Sequence, residues 1–415
     1  RAALICAVLF CLGLLCALRF FGLPLLAPLG ISFYTLTLLG YLFDVYYEIG
    51  KVQTNYCKLL LFGSYFPTMI SGPILKYQEM EGRMYAPHRL DYRQVTFGMQ
   101  RMIWGFFKVL VISERAATIA NQIFDHYRDY SGLPIWVGAV AFTFQLYANF
   151  SGCMDIVLGI SQCFGIELPE NFNAPFLSRT IAEYWRRWHI TLGTWLREYL
   201  FYPLLRTRFF MQLPKTLKPR LGKKRAKQVT TFSAMFILWF AIGYWHGGTW
   251  NFIIGSGLLH WFYIVSGELL EPFFAKWKAA WHISDDNRLF IFFQRLRTFA
   301  LVTLGLVFFR SRTVPDALRM IGRGFSALNL RILWDGSLFS YGLDWIELTI
   351  LAVSLLIFGW VSVQQQKGWL RERLEKKPLI LRWAVLYALL FYVILLGQYG
   401  PEYSAAEFIY QNFRA

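Results

Sequence analysis

Two histidines sit where an imidazole is costly to house and chemically useful. His246 lies in AIGYWHGGTWN (241–251), near the end of an apolar run, and is followed by Gly247 and Gly248. An ionisable side chain within a membrane span is expensive and usually faces a cavity. Adjacent glycines let a ligand or another backbone come close, and imidazole is the side chain best matched to proton transfer near neutrality. These residues alone leave three readings open: a proton-handling group, a structural hydrogen bond or a metal ligand. His189 lies in SRTIAEYWRRWHITLGTWLREYLFYP (178–203). Helical spacing there predicts one amphipathic helix, capped by Ser178. Trp185, Trp188, His189, Leu192, Leu196 and Tyr199 share its apolar face. So much Trp and Arg on an amphipathic helix suits the membrane interface. A lone histidine on such a face is most often a satisfied core or interfacial residue.

The other histidines have blander surroundings. His88, His126 and His282 fall in polar stretches and are expected to be solvated. His260 follows in the next apolar run, where packing and a supporting role both remain open. Asp44 and Asp155 adjoin apolar runs and are expected to pair with Arg or Lys. The six cysteines include no CxxC pair and no neighbouring His at metal-ligand spacing, so they read as small hydrophobes.

The elements that must position these groups follow from composition. The 415 residues are 56% hydrophobic and 16% charged, against about 25% charged in soluble domains. That excludes an ordinary soluble globule and a disordered chain. The net charge of +17 cannot signify a nucleic-acid binder, because the polar surface is missing. Aromatics at 19% suit lipid-facing and interfacial surface. The chain therefore reads as an all-α polytopic membrane protein. Apolar runs at 2–18, 23–43, 95–113, 134–166, 229–245, 250–270, 288–309, 346–364 and 380–397 are candidate spans. The run 134–166 is expected to bend at Asn149–Gly152. The run 59–75 is short, carries Pro67, Gly72 and Pro73, and reads as re-entrant. About nine to eleven membrane segments are expected. So many Pro, Gly and polar residues at membrane depth call for a compact body with an internal cavity. The longest basic loop, 206–227, has nine Lys and Arg and no acid, and is cytoplasmic by the positive-inside rule. The basic stretch Lys367 to Lys377 is expected on the same side. The chain begins at Arg1, so upstream sequence is expected to be missing.

Five segments in order carry a resemblance: ISFYTLTLLGYLFDVYY (31–47), YFPTMISGPILKY (65–77), FQLYANFSGCMDIVLG (144–159), PENFNAPFLSRTIAEYWRRWHITLGTWLREYLFYPL (169–204) and GYWHGGTWNFIIGSGLLHW (243–261). Together they resemble the membrane-bound O-acyltransferase family, in the branch that acylates bacterial cell-envelope polysaccharides. The tail QYGPEYSAAEFIYQNF (398–413) is similar to the alginate type. Asn149 stands where that branch commonly has Asp, and Cys153 where it has an aromatic.

The resemblance implies a single domain over 1–415, with its motif-bearing core at 31–261 and C-terminal helices over 288–397. It implies a ring-like helical body in which re-entrant and interfacial helices surround a central passage between a donor and an acceptor face. His246 is then the catalytic base and His189 a second catalytic histidine. Tyr184, Trp188, Trp245 and Asn251 are expected passage-lining residues. The expected reaction moves an acyl group, acetyl foremost, from a cytosolic thioester to a polysaccharide hydroxyl outside the bacterial cytoplasmic membrane. The donor is acetyl-CoA or an acyl carrier protein. No metal or tightly bound cofactor is needed, because a thioester is already activated. The resemblance also implies an extracytoplasmic esterase-like partner; the sequence itself has no GxSxG elbow and so no evident second hydrolase-type nucleophile. The runner-up reaction is D-alanyl transfer to teichoic acid. A glycan or lipid flippase is the alternative of another class, against which the absence of an internal repeat counts.

Overall fold

The computed structural model describes residues 4–11, 13, 30–327 and 329–399. Expectations that rest on 14–29 or on the tail from 400 lie outside the described residues. The helices used below are α1 (Ile31–Tyr46), α2 (Tyr92–Asp125), α3 (Leu133–Cys163), α4 (Ile181–Arg187), α5 (Ile190–Leu196), α6 (Arg208–Gly247), α7 (Trp250–Ala280), α8 (Arg288–Arg310), α9 (Val314–Ser326), α10 (Trp345–Gln365) and α11 (Leu379–Leu396).

Seven of these, α2, α3, α6, α7, α8, α10 and α11, are long and apolar enough to cross a membrane. The chain is thus all-α and polytopic, and the seven fall on the seven candidate spans between 95 and 397; those at 2–18 and 23–43 rest in part on residues outside the described ones. The run 59–75 is broken into the short helices Tyr56–Gly63 and Phe66–Met69, with Pro67 opening the second. No bend interrupts α3 at Asn149–Gly152; its 31 residues run through unbroken. The basic stretch 206–227 is not a loop. It is helical from Arg208, and the break comes at Gly222, whose φ of 75° is open to glycine without strain. Lys and Arg are good helix formers, and nothing but Gly222 and two prolines opposes them there.

The centre of the molecule is the antiparallel crossing of α2 and α3. Gly98 and Gly105 on α2 meet Gly159 and Gly152 on α3. A Cβ at Gly98 would lie 2.5 Å from the carbonyl oxygen of Gly159, and one at Gly105 would lie 2.6 Å from that of Gly152. Small residues two turns apart on both partners allow this backbone approach, the usual basis of helix association where water supplies no driving force. Just beside the crossing the two helices exchange charge. Arg101 pairs with Asp155 at 2.9 Å and bidentately with Glu170, and Lys108 bonds Asp155 and the Ser151 hydroxyl. The acid expected at Asp155 to need a cationic partner therefore has two. Among the described residues Asp44 has none; it accepts from the Tyr199 phenol at 2.7 Å.

Candidate active site

The single helix expected over 178–203 is divided. Thr180, not Ser178, caps α4: its hydroxyl accepts from the Glu183 N–H at 3.1 Å, while Glu183 accepts from the Arg179 N–H at 2.8 Å. After Arg187 the chain leaves the helix and re-enters at Ile190. Between them His189 has left-handed backbone, φ 44° and ψ 54°. A non-glycine residue there is strained by about 1–3 kcal/mol and persists only where neighbours impose it. The neighbour is the segment 171–173. Phe172 and Trp188 form an antiparallel bridge, Asn173 N–H donates to Arg187 at 2.9 Å, and Ile190 N–H donates to Asn171 at 3.0 Å.

The same clamp sets the imidazole. Asn171 Oδ1 accepts from the Thr191 N–H at 3.1 Å and from the Thr191 hydroxyl at 3.0 Å. That hydroxyl itself accepts from the Ile74 N–H at 3.0 Å, so its proton points to Asn171. The atom facing His189 Nδ1 at 3.2 Å is consequently an acceptor oxygen, and Nδ1 carries the proton. The lone pair of the neutral ring is then on Nε2, which has no hydrogen-bond partner among the described residues. His189 is 2% exposed, and desolvation pushes its pKa down to about 3. It is a neutral imidazole with a defined tautomer.

His246 is buried in the last turn of α6, before left-handed Gly248. Gly247 has no room for more: a Cβ there would lie 2.3 Å from the Phe252 ring. The His246 ring packs edge-on against Phe309 of α8 at 5.5 Å between centroids. Trp245 joins the two histidines, its ring centroid 5.0 Å from His246 and 6.3 Å from His189. Residues separated by 57 positions thus flank one indole. Asn251 fixes the loop after His246: it accepts from the Thr249 hydroxyl at 2.5 Å and donates to the Ser311 carbonyl at 2.8 Å.

Tyr184 and Trp188 are buried and stacked on one another at 5.5 Å, in a layer with Phe172 and Phe176. His260 lies apart, between Trp185 and Trp239 at 5.0 and 5.8 Å. His88, His126 and His282 are exposed, as expected. Among the described residues no group of three or more His, Cys, Asp or Glu could hold a metal ion.

A cavity of about 760 Å³ lies between α2, α3, α10 and α11. It reaches Asn171 and Ile190, either side of the His189 clamp, yet none of the six expected site residues lines it. Sequence reasoning passed over Asn171. The residue is in PENFNAP, one of the resembling segments, but its pairing with 188–191 is visible only in three dimensions.

Residues 49–308, which contain both histidine segments, match the model of MBOAT, the membrane-bound O-acyltransferase family, and the chain belongs to it. The chain is similar to several known proteins. It is 32% identical over 339 residues to a peptidoglycan O-acetyltransferase of Helicobacter pylori, covering 75% of this chain and 59% of the relative. It is 32% identical over 303 residues to a protein described as a probable alginate O-acetylase of Pseudomonas aeruginosa, covering 73% and 52%. A teichoic acid D-alanyltransferase of Bacillus subtilis is 29% identical over 293 residues, covering 69% and 70%. The chain therefore spans about three-fifths or less of the first two relatives. Acyltransferase membership makes an enzymatic role the natural one.

Proposed function

We propose that the protein is a membrane O-acyltransferase that moves an acyl group, acetyl foremost, from a cytosolic thioester to hydroxyls of an extracytoplasmic envelope polysaccharide. The observation that carries the reading is the pairing of His246 and His189 about Trp245, inside the segment that matches the family. In this reading His246 takes the proton of the acceptor hydroxyl as its oxygen attacks the thioester carbonyl. The tetrahedral oxyanion collapses, the C–S bond breaks, and the thiolate takes up the proton from the imidazolium. His189 presents the Nε2 lone pair and therefore accepts a hydrogen bond from substrate. It does not donate to the oxyanion while its Nδ1 proton is held by Asn171.

The donor is acetyl-CoA or an acyl carrier protein, and a ring-like body with a central passage would let it meet the acceptor. Tyr184, Trp188, Trp245 and Asn251 would wall that passage. An extracytoplasmic esterase-like partner would complete transfer where the acceptor is remote. The similarity to a teichoic acid D-alanyltransferase keeps D-alanyl transfer as the second reading.

The test is mass spectrometry of envelope polysaccharide from cells carrying the protein, His246→Ala or no protein. Ester acylation is expected with the first alone, with the variant inserted and monodisperse in detergent. Near-normal acylation by the variant would remove His246 as the base. Unaltered polysaccharide with altered lipid asymmetry would favour a flippase.

A further inference from the structure

The 760 Å³ cavity has two unlike ends. One is apolar and formed by α10 and α11, through Ile357, Val361, Leu386 and Leu389. α11 buries almost none of its apolar window against protein, so this wall is a bilayer-facing helix. The other end is charged, with Arg101, Lys108 and Arg371 against Asp155 and Glu170. The first two cations are consumed by the two carboxylates. Arg371 is not. Its Nη1 donates to the main-chain oxygen of Phe97 and to Gln162 Oε1, both at 2.9 Å, and its plane lies over the Phe97 and Trp369 rings. Both acceptors are neutral, and among the described residues no carboxylate lies within ion-pair distance of Arg371. The cavity therefore carries one unneutralised cation at its polar end, held in place by neutral acceptors and stacking. Trp360 and Trp369 also line it, the residue type that settles at the headgroup level of a bilayer.

We propose that this cavity is a binding site for an anionic phospholipid of the surrounding membrane. The headgroup phosphate takes the free guanidinium N–H groups of Arg371, and an acyl chain lies between α10 and α11. Arg is suited to phosphate because its planar fork offers parallel donors, and a volume of this size suits a drug-sized portion of an amphiphile. A lipid fits better than the thioester donor, because the cavity stops at Asn171 and Ile190 without contacting either His189 or His246. A lipid there would brace the α2–α3 ion network and, through Asn171, the back of the His189 clamp. The proposal does not depend on which acyl group or acceptor the enzyme uses.

The test uses the full chain in non-ionic detergent, exposed to vesicles of phosphatidylglycerol and phosphatidylcholine in equal amounts, repurified and weighed by native mass spectrometry. About one phosphatidylglycerol per chain should be retained, with little phosphatidylcholine. Arg371→Gln, which keeps a hydrogen-bonding side chain, should weaken retention by about tenfold or more. Leu386→Trp fills the apolar end without touching a polar group and should abolish it, which keeps the test decisive if the Arg371 variant folds poorly. Equal retention of both lipids overturns the proposal, as does undiminished phosphatidylglycerol in both variants. Displacement by coenzyme A but not by excess phosphatidylglycerol would give the cavity to the donor instead.

Discussion

Removing the Asn171 side chain separates what the histidine clamp does for stability from what it does for chemistry. Asn171 is 1% exposed, and its Oδ1 accepts from the Thr191 N–H, the Thr191 hydroxyl and His189 Nδ1 at 3.1, 3.0 and 3.2 Å. In Asn171→Ala the hydroxyl can turn away, but the main-chain N–H cannot. One orphaned buried donor costs about 1–3 kcal/mol, so the thermal midpoint in detergent should fall measurably. The imidazole has an escape, which is to move its proton to Nε2, and that would extinguish the lone pair the site presents. Transfer should therefore fall well beyond what the stability loss explains. Asn171→Asp keeps all three acceptor contacts and adds a negative charge beside Nδ1–H. It buries a charge and loses the Asn171 Nδ2 donation to Met154 Sδ at 3.3 Å, so its thermal midpoint should also fall, yet it favours the imidazolium, raising the His189 pKa from about 3. The acid limb of the transfer rate should then move to higher pH. The assay is acyl transfer to isolated polysaccharide by membrane vesicles across pH, beside thermal unfolding of each variant. An Ala variant with wild-type rate and midpoint, or an Asp variant with an unmoved acid limb, refutes the reasoning.

Three further outcomes follow from the same site and its helices. His189→Gln keeps a donor and an acceptor but cannot exchange a proton near neutrality, so transfer should drop by about 10²–10⁴ with normal expression; a wild-type rate would return His189 to a structural role. Because the folded pKa of about 3 lies below the ordinary 6.5, the unfolded chain binds more protons between them. The stability that neutral His189 supports is complete above pH 6.5 and is lost as pH falls below it, and a urea-unfolding series should show that slope shrink in the Gln variant. A cysteine introduced at Lys223, in exposed basic helix, should react with an impermeant reagent only after permeabilisation; labelling in intact cells would reverse the topology and the donor side.

The class of molecule and its two histidine segments were legible in the sequence, because they rest on local signals. Apolar runs long enough to span a bilayer read the same in any fold, and α8, α10 and α11 lie within a residue or two of where hydropathy put them. Five ordered segments, WHG and RWH among them, were enough to reach the family that the comparison then gave. Helical periodicity failed at 178–203 for a tertiary reason. No glycine or proline lies between 181 and 192 to stop a helix locally, and the break at Trp188–His189 exists because a distant strand-like segment, 171–173, competes for its backbone hydrogen bonds. The basic stretch failed oppositely, since charge signals the side of a membrane and not the local conformation. The partner of Asp155 was expected in kind, but only the Gly98–Gly159 and Gly105–Gly152 crossing decided that Arg101 and Lys108 would supply it. Residue types and spacing determined that imidazoles would sit in an apolar, membrane-spanning chain. That they flank one indole, that one has its proton fixed by Asn171, and that Arg371 is left without a carboxylate partner among the described residues, beside a cavity lined by α10 and α11, are consequences of packing. Such contacts join residues tens of positions apart, whose meeting depends on how whole helices cross and not on any local preference.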